Sequence, residues 1–444
     1  MADPDSALDR ARELPKSLQE IASCVNGYDP KSLPVAQAAE FIARLVPKVQ
    51  AVEMLALRSA LGRVLARDIV SGFNVPAHDN SAMDGYAFRG SDLSPDADTV
   101  LGVAGSGFAG QTELANAARG QCVRIMTGAV MPAELDTVVP QEFVKVDGNE
   151  VTIPAGIVRT GDNRRLRGED LAQGDPALVA GRVLRPADLG MLASLGQAEV
   201  PVFRRVRVAF FSTGDELRSI GEALPAGCVY DSNRYTLWGM LARLGVEIID
   251  LGVVKDDPVA LAATFRAAAR DADAVITSGG VSVGEADHTN QVMAALADVL
   301  FWRIAMRPGR PMAIGRISPD SNAGGHGAIL FGLPGNPVAV MVTFYALVRD
   351  ALLAMSGAAA QPMPLLRAAS VEPMRKKPGR TEYQRGVVTR SPDGAGWQVR
   401  ITGSQGSGIL RSMSEANGLV VLHHAQGNVA AGEQVDVMPF DGLV

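Results

Sequence analysis

From Val206 onward the chain alternates apolar strands with helical segments, and this rhythm constrains the fold more than any other feature of the sequence. VRVAFFSTGDEL predicts a strand that runs into polar residues. DSNRYTLWGMLARLG predicts a helix with Leu237, Met240, Leu241 and Leu244 on one face and Gly245 at the C′ position. VEIIDLGVVKDD predicts a second strand, and DPVALAATFRAAARD a second helix with Asp257 at its N-cap and Pro258 at N1. ADAVITSGG and DHTNQVMAALAD repeat the pattern, and VLFWRIAM and GAILFGLPG predict further strands. NPVAVMVTFYALVRDALLAMSG is a helix apolar nearly all round, as a buried helix is. Alternating units of this kind give a doubly wound, mostly parallel sheet with right-handed crossovers.

A chain of 444 residues is too long for one core and suggests about three domains by length. Residues 1–30 read as an extension with at most one short helix. Val35, Ala38, Ala39, Ile42, Leu45 and Val46 fall at helical spacing. DTVVPQEFVKV and EVTIP, set among Gly, Pro and Asp, indicate a small β-rich domain over 71–170. GDNRRLRGEDLAQGD reads as a polar linker, and VLRPADLGMLASLG as a helix between Pro186 and Gly196. That helix is expected to return the chain to the first one, so 31–70 and 171–205 form one discontinuous linking domain of helices and extended segments. The α/β domain is expected over 206–357. EYQRGVVTR, GWQVRIT, GLVVLHH and EQVDVMPF predict a small C-terminal barrel or sandwich over 358–444. The fold class is therefore α/β plus β domains.

The net charge of −6 argues against nucleic acid as a partner. Cys24, Cys122 and Cys228 form neither a zinc spacing nor a disulfide framework, which suits a reducing compartment. The charged N-terminus lacks a signal-peptide core. No run reaches the roughly 18 apolar residues of a membrane span. A soluble cytoplasmic protein is expected.

In an open parallel sheet, ligands bind outside the carboxyl ends of the strands. Three predicted strands end in acids: Asp215 and Glu216, Asp256 and Asp257, and Glu285 and Asp287. Carboxylates brought together repel unless a cation joins them, and oxygen donors favour Mg²⁺. Asp257 serves equally as an N-cap and stays outside the candidate site; Glu285 suits a ligand or a solvated loop equally. AVITSGGVSVGEADHT fits neither common phosphate signature, yet its Gly and Ser residues leave backbone N–H groups for an anion. Together these features point to metal-assisted phosphoryl chemistry. Arg303, Arg307 and Arg310 lie in a short Pro- and Gly-containing loop and suit oxyanions. Arg164, Arg165 and Arg167 suit an anion site and a solvated face equally. GLPGNP reverses the chain, with Asn336 at the N-cap and Pro337 at N1, and borders the same edge. No histidine spacing suggests a metal, and no G-x-S-x-G elbow suggests a hydrolase triad.

VPAHDNSAMDGYA, RIMTGAVMP, RRLRGED, FSTGDEL, YDSNR, SGGVSVGEAD, RPGRP, GLPGNPVAV and PGRTEYQRG occur in this order from about residue 33 onward. Together they closely resemble the molybdopterin molybdenumtransferases, bacterial relatives of the gephyrin E domain. The resemblance implies that the α/β domain is of the molybdopterin-binding type and that the substrates are adenylylated molybdopterin and molybdate. It implies Mg²⁺-dependent cleavage of the adenylate, with release of AMP and molybdenum cofactor. It also implies a homodimer whose site is shared between subunits, and leaves room for contacts with other proteins of molybdopterin synthesis. Carried over by position, the catalytic acids are Asp84, Asp170, Glu216, Asp256 and Asp287, of which Glu216, Asp256 and Asp287 are the expected Mg²⁺ ligands. Thr127, Arg165, Arg380 and Ser407 match further site positions, and Pro334 and Pro337 lie in the matching GLPGNP turn. Ser278, Gly279, Gly280, Ser282 and Gly284 are expected to cradle phosphate, and Arg303, Arg307 and Arg310 to bind molybdate or phosphate oxygens. The family commonly has lysine at these three arginine positions; arginine keeps the charge but does not readily release a proton. The alternatives are an adenylyltransferase or pyrophosphatase on a similar α/β domain, and a non-catalytic scaffold.

Overall fold

Val208, Ala209, Phe210 and Phe211 are all fully buried, which requires a strand covered on both faces. The structure that provides this cover is a computed structural model describing residues 17–111, 116–281, 288–318, 327–360, 363–392, 394 and 396–440. Its contacts divide the chain into two units: Met1–Met54, Gly62–Ala66 and Pro201–Val444, and Leu55–Leu61 with Arg67–Val200.

The first unit begins with α1 (Leu18–Ser23), held by a capping box between Ser17 and Glu20, and α2 (Val35–Leu45). The buried face of α2 is Ala38, Phe41, Ile42 and Leu45. Ala39, expected on that face, is exposed. Phe41 sits three residues after Ala38 and four before Leu45, so it completes the stripe and brings a larger apolar surface.

The second unit holds a six-stranded sheet. Its strands are β1 (Gly85–Phe88), β2 (Thr99–Gly107), β3 (Gln121–Ile125), β4 (Thr137–Pro140), β5 (Lys145–Asp147) and β6 (Glu150–Ile153). They lie in the order β4-β1-β3-β2-β6-β5. The segment read as a polar linker is part of this unit: Arg164 pairs with Ser81 and Arg165 with Asn80, antiparallel. Polar composition concealed it because the pairing partner lies some eighty residues away. The helix α3 (Pro186–Ser194) also belongs here, with Gly196 in the left-handed region past its end, as expected.

The α/β region of the first unit runs β7 (Arg207–Thr213), α4 (Ser232–Arg243), β8 (Glu247–Val254), α5 (Pro258–Asp271), β9 (Ala274–Ser278), α6 (His288–Leu296), β10 (Ala297–Arg303), β11 (Pro311–Ile317), β12 (Ala328–Leu333) and α7 (Pro337–Thr343). The sheet order is β8-β7-β9-β12-β11-β10. Pairs among β8, β7, β9 and β12 are parallel, whereas β11 pairs antiparallel with both β12 and β10. The mostly parallel sheet thus ends in an antiparallel margin. Its strand β11 was not among the expected ones, because PMAIGRI follows RPGRP and reads as more of that loop; proline at the first residue of a strand is permitted. Asp257 caps α5 through Ala260 N–H, as the sequence indicates.

The apolar helix after GLPGNP is α7, a π-helical turn at Phe344–Val348, and α8 (Arg349–Met355). By length and composition Pro337–Met355 could cross a membrane, but 67% of its most apolar window is buried inside the fold, as a core helix is. The C-terminal strands are β13 (Leu366–Ser370), β14 (Thr381–Arg390), β15 (Trp397–Ile401), β16 (Gly418–Leu422) and β17 (Gln434–Pro439), with α9 (Leu410–Glu415) between β15 and β16. Because β14 pairs with both β15 and β16, these five strands close into a barrel, which decides between barrel and sandwich.

Gly85 opens β1, where an added Cβ would collide with the Val139 carbonyl oxygen. Gly85→Ala is therefore expected to force β1 and β4 apart at a cost of roughly 1–3 kcal/mol. Hydrogen-exchange mass spectrometry should show faster exchange over Gly85–Phe88 and Thr137–Pro140.

Candidate active site

The parallel register brings the carboxyl ends of β7, β8 and β9 to one edge: Ser212 stands opposite Val253 on one side and Ser278 on the other. The loops that leave these ends are locked by small residues and one amide. A Cβ on Gly279, which has a φ of +96°, would approach the Thr213 carbonyl oxygen to 2.6 Å. A Cβ on Gly280 would collide with Thr289 at the start of α6. Asn233 Nδ2, on α4, donates to Ser278 Oγ at 2.8 Å and to the Gly335 carbonyl at 2.7 Å. It thereby joins the YDSNR, SGG and GLPGNP segments. Thr289 Oγ1 donates to Asp256 Oδ1 at 3.3 Å. Gly279 N–H is already used by the Leu333 carbonyl at 3.1 Å, so this amide is not free for an anion.

Glu216 is exposed, and its carboxylate turns back over Gly214, where it comes within 2.6 Å of the place a Cβ would occupy. Asp256 is half-buried beside Thr289. Ser282, Gly284, Glu285 and Asp287 lie outside the described residues. Among the described residues, no three His, Cys, Asp or Glu side chains come close enough together to hold a metal. The strand ends converge as expected, but the described carboxylates do not form a ligand cluster by themselves. Several buried side-chain oxygens of these strand ends and of the start of α4 do lack a hydrogen-bond partner, among them Asp231 Oδ2, Thr213 Oγ1, Ser212 Oγ and Asn233 Oδ1. Asp231 is only 2% exposed, and its other oxygen caps α4. Asp231 and Asn233 fall in the YDSNR motif, in which no local pattern marks them as site residues.

Arg303, expected in the arginine loop, ends β10, where it pairs with Pro311, and Arg307 and Arg310 lie in the segment that follows. Arg303, Arg307 and Arg310 are exposed, and none forms an ion pair among the described residues. The Ile304 N–H to Arg310 carbonyl bond, 2.7 Å, closes the loop, and Met306–Arg307 pairs in parallel with Thr381–Glu382 at the head of β14. Arg380, just before that strand, holds Glu382 through Nε at 2.8 Å. Pro334 is buried, Pro337 starts α7, and Val338 N–H in the first turn donates to the Ser407 carbonyl at 3.1 Å. Asn336 occupies the N-cap position but makes no side-chain cap bond. A cleft of about 340 Å³ lies between the arginine loop and the barrel, with Arg307, Arg375, Glu382, Gln384 and Gln405 in its wall. Arg385 adjoins it, and burial, then the charge of Arg307, pushes its guanidinium down to about 10.

The remaining candidates belong to the second unit. Asp84 Oδ1 accepts from both the amide and the hydroxyl of Thr127, each at 2.7 Å. The neighbouring backbone is tied in the same way: Ser81 N–H donates to Ala129, Gly128 N–H to Ser81, and Ala82 N–H to Asn163. Arg165 pairs with Glu169 at 2.7 Å, and Asp170 is exposed with its N–H on the Val75 carbonyl. Arg164 is held by Asp79, so of the RRLRG arginines one is a structural anchor.

The Thr127 amide, and then its hydroxyl, hold the Asp84 carboxyl below the ordinary carboxylate range. These bonds form with the ionised group. The order they give the loop is therefore present above the ordinary pKa and lost as pH falls through the lowered one. Thr127→Val removes the hydroxyl bond and should raise the Asp84 pKa toward the usual value, as read by carboxyl carbon NMR titration.

The three family models that match the chain are described as the MoeA N-terminal region (domain I and II), over residues 33–196, a probable molybdopterin binding domain, over 209–354, and the MoeA C-terminal region (domain IV), over 367–440. A molybdopterin molybdenumtransferase of Haemophilus influenzae is 40% identical over 413 residues, 93% of this chain and 100% of that protein. One from Nostoc is 37% identical over 412 residues, 91% of this chain and 93% of that protein. A crystal structure of the molybdopterin biosynthesis moeA protein from Pyrococcus horikoshii OT3 superimposes with a TM-score of 0.75 at 26% identity, covering 92% of this chain and 100% of that one. With identity of this extent and a shared fold along nearly its whole length, the chain belongs to the molybdopterin molybdenumtransferase family.

Proposed function

We propose that this chain transfers molybdenum from molybdate into adenylylated molybdopterin, cleaving the adenylate in a Mg²⁺-dependent step and releasing AMP and molybdenum cofactor. The observation that carries this reading is the 40% identity over 93% of the chain to a protein named for that transfer. Asp84 falls within the N-terminal family match, Glu216 and Asp256 within the molybdopterin-binding match, and Arg380 and Ser407 within the C-terminal match.

The edge of the parallel sheet suits a hard divalent cation, because its donors are oxygens and several of them, Asp231 Oδ2 and Thr213 Oγ1 included, are buried without a partner. Glu216, Asp256 and Asp287 would hold Mg²⁺, which when bound supplies charge neutralisation at the phosphate bond to be cleaved. Ser278, Gly280, Ser282 and Gly284 would orient the phosphates, with Gly279 serving the turn. Arg303, Arg307 and Arg310, with Arg380 and Ser407, would bind the oxyanion. Arginine stays protonated, so these residues attract and orient the anion and do not relay protons. The exposed Asp84–Thr127 pair, with Arg165 and Asp170, would complete the site of a partner subunit in a homodimer.

Purified protein given adenylylated molybdopterin and Mg²⁺ should release AMP and form cofactor only when molybdate is added, and chelation of Mg²⁺ should stop both. Asp256→Asn should lower turnover by roughly a hundredfold, the scale of losing one electrostatic group at a reacting centre. A protein that is folded and releases no AMP under these conditions refutes the enzymatic reading. A mixture of Asp84→Ala and Asp256→Asn subunits should regain activity by complementation, because one site of each mixed dimer carries both intact halves. Failure of a verified mixed dimer to recover would place both residues in the site of one chain.

A further inference from the structure

The barrel strand β14 carries an arginine to which the proposed function gives no task. Arg385 is fully buried and has no carboxylate partner among the described ion pairs. Its guanidinium is spent on one loop and one helix. Nη2 donates to the carbonyls of Gly406 at 2.9 Å and Ser404 at 3.3 Å, and Nη1 to that of Gln405 at 3.3 Å. Nε donates to Ser412 Oγ, on α9, at 3.0 Å. The backbone of the same residue reinforces this: its N–H donates to Gln405 Oε1 at 2.8 Å, and its carbonyl accepts from Thr402 N–H at 2.8 Å. The segment 402–406 is thus held by one residue, its last three carbonyls by the side chain and Thr402 by the backbone. The residue after it, Ser407, offers its carbonyl to Val338 in the first turn of α7. Arg307 and Gln405 stand in the wall of the same cleft.

Three carbonyls aimed at one point repel each other unless a cation lies between them, and a planar fork with fixed donor directions serves several acceptors at once, as an ammonium does not. We propose that Arg385 is a positioning residue for the oxyanion substrate: it fixes the Ser404–Gly406 loop, and through it Ser407, against the Arg307 cleft. The inference rests on the reading that molybdate is bound by Arg307 and Ser407.

Equilibrium dialysis of the full chain against molybdate tests it, using wild type, Arg385→Lys, Ser407→Ala and the double variant. Arg385→Lys should weaken molybdate binding about tenfold, as the loss of a hydrogen bond to a charged group implies. It should cause little further loss once Ser407→Ala is present, and should leave the KM for adenylylated molybdopterin unchanged. Wild-type molybdate affinity in a folded Arg385→Lys protein, or a loss that adds in full to that of Ser407→Ala, overturns the inference. So does an absence of molybdate binding by the wild type. If Arg385→Lys does not fold, Ser412→Ala, which removes the acceptor of Nε together with the bond that Ser412 Oγ donates to the Ile409 carbonyl at 2.6 Å, is read in the same way: a smaller, non-additive loss supports the inference and unchanged binding overturns it. Failure of the proposed function registers separately, as a wild type that binds molybdate and releases no AMP.

Discussion

One buried amide holds the edge on which the candidate site is built. Asn233 is 8% exposed, and its two N–H donors reach Ser278 at the end of β9 and Gly335 in the turn before α7. A parallel sheet guarantees that strand ends share an edge, but not that the loops leaving them keep one arrangement. Here the amide fixes two of those loops to α4, and the close approaches at Gly279 and Gly280 leave the SGG turn no room to shift. An unmet donor in this setting costs about 1–3 kcal/mol, so the bridge has one favourable state. The order of this strand-end edge follows from that choice.

Topology was legible in the sequence wherever periodicity was strong. The strands and helices from Val206 to Ser278 follow from apolar runs, caps and C′ glycines, because those signals are local. The convergence of the acidic strand ends follows from parallel topology alone. What was missed depends on partners far along the chain. Arg164 and Arg165 look like linker residues until Asn80 and Ser81 pair with them. Phe41 is the exception, since its spacing to Ala38 and Leu45 already placed it on the buried stripe in preference to Ala39. Asn233 and Arg385 could not be singled out, because their acceptors are mainly backbone carbonyls and any sequence supplies those. The roles of Asp84 and Thr127 came from resemblance; their mutual hydrogen bonds then gave the pairing a physical basis.

Apart from cations paired with carboxylates, such as Arg204 with Asp273 and Arg234 with Asp250, two sets of cations in the first unit have contrasting surroundings. Arg303, Arg307 and Arg310 are exposed at or beside the loop after β10. Arg385 and Lys376 are buried and caged by carbonyls: Lys376 Nζ donates to Lys377 at 2.9 Å, Gln426 at 2.8 Å and His424 at 3.4 Å. Burial lowers the pKa of both caged groups. A buried cation without a counter-ion destabilises a fold unless its donors are all engaged. Lys376 engages the carbonyls of Lys377, His424 and Gln426, and Arg385 those of Ser404, Gln405 and Gly406, so buried charge is used internally to shape loops while Arg303, Arg307 and Arg310 stay at the surface.

The pairing of Met306–Arg307 with Thr381–Glu382 also bears on how the first unit comes apart. Tyr383, Met413, Leu419, Val421 and Met438 of the barrel region share one continuous apolar core with Phe210, Ile276 and Phe331 of the α/β sheet, and Tyr345 stacks on Phe440 with ring centroids 5.9 Å apart. Cutting the chain after the long apolar helix would strip that core of one wall and leave the arginine loop without its strand partner. The barrel and the α/β sheet therefore share one core, and a protease or a truncation that removes the barrel removes the support of the arginine loop with it.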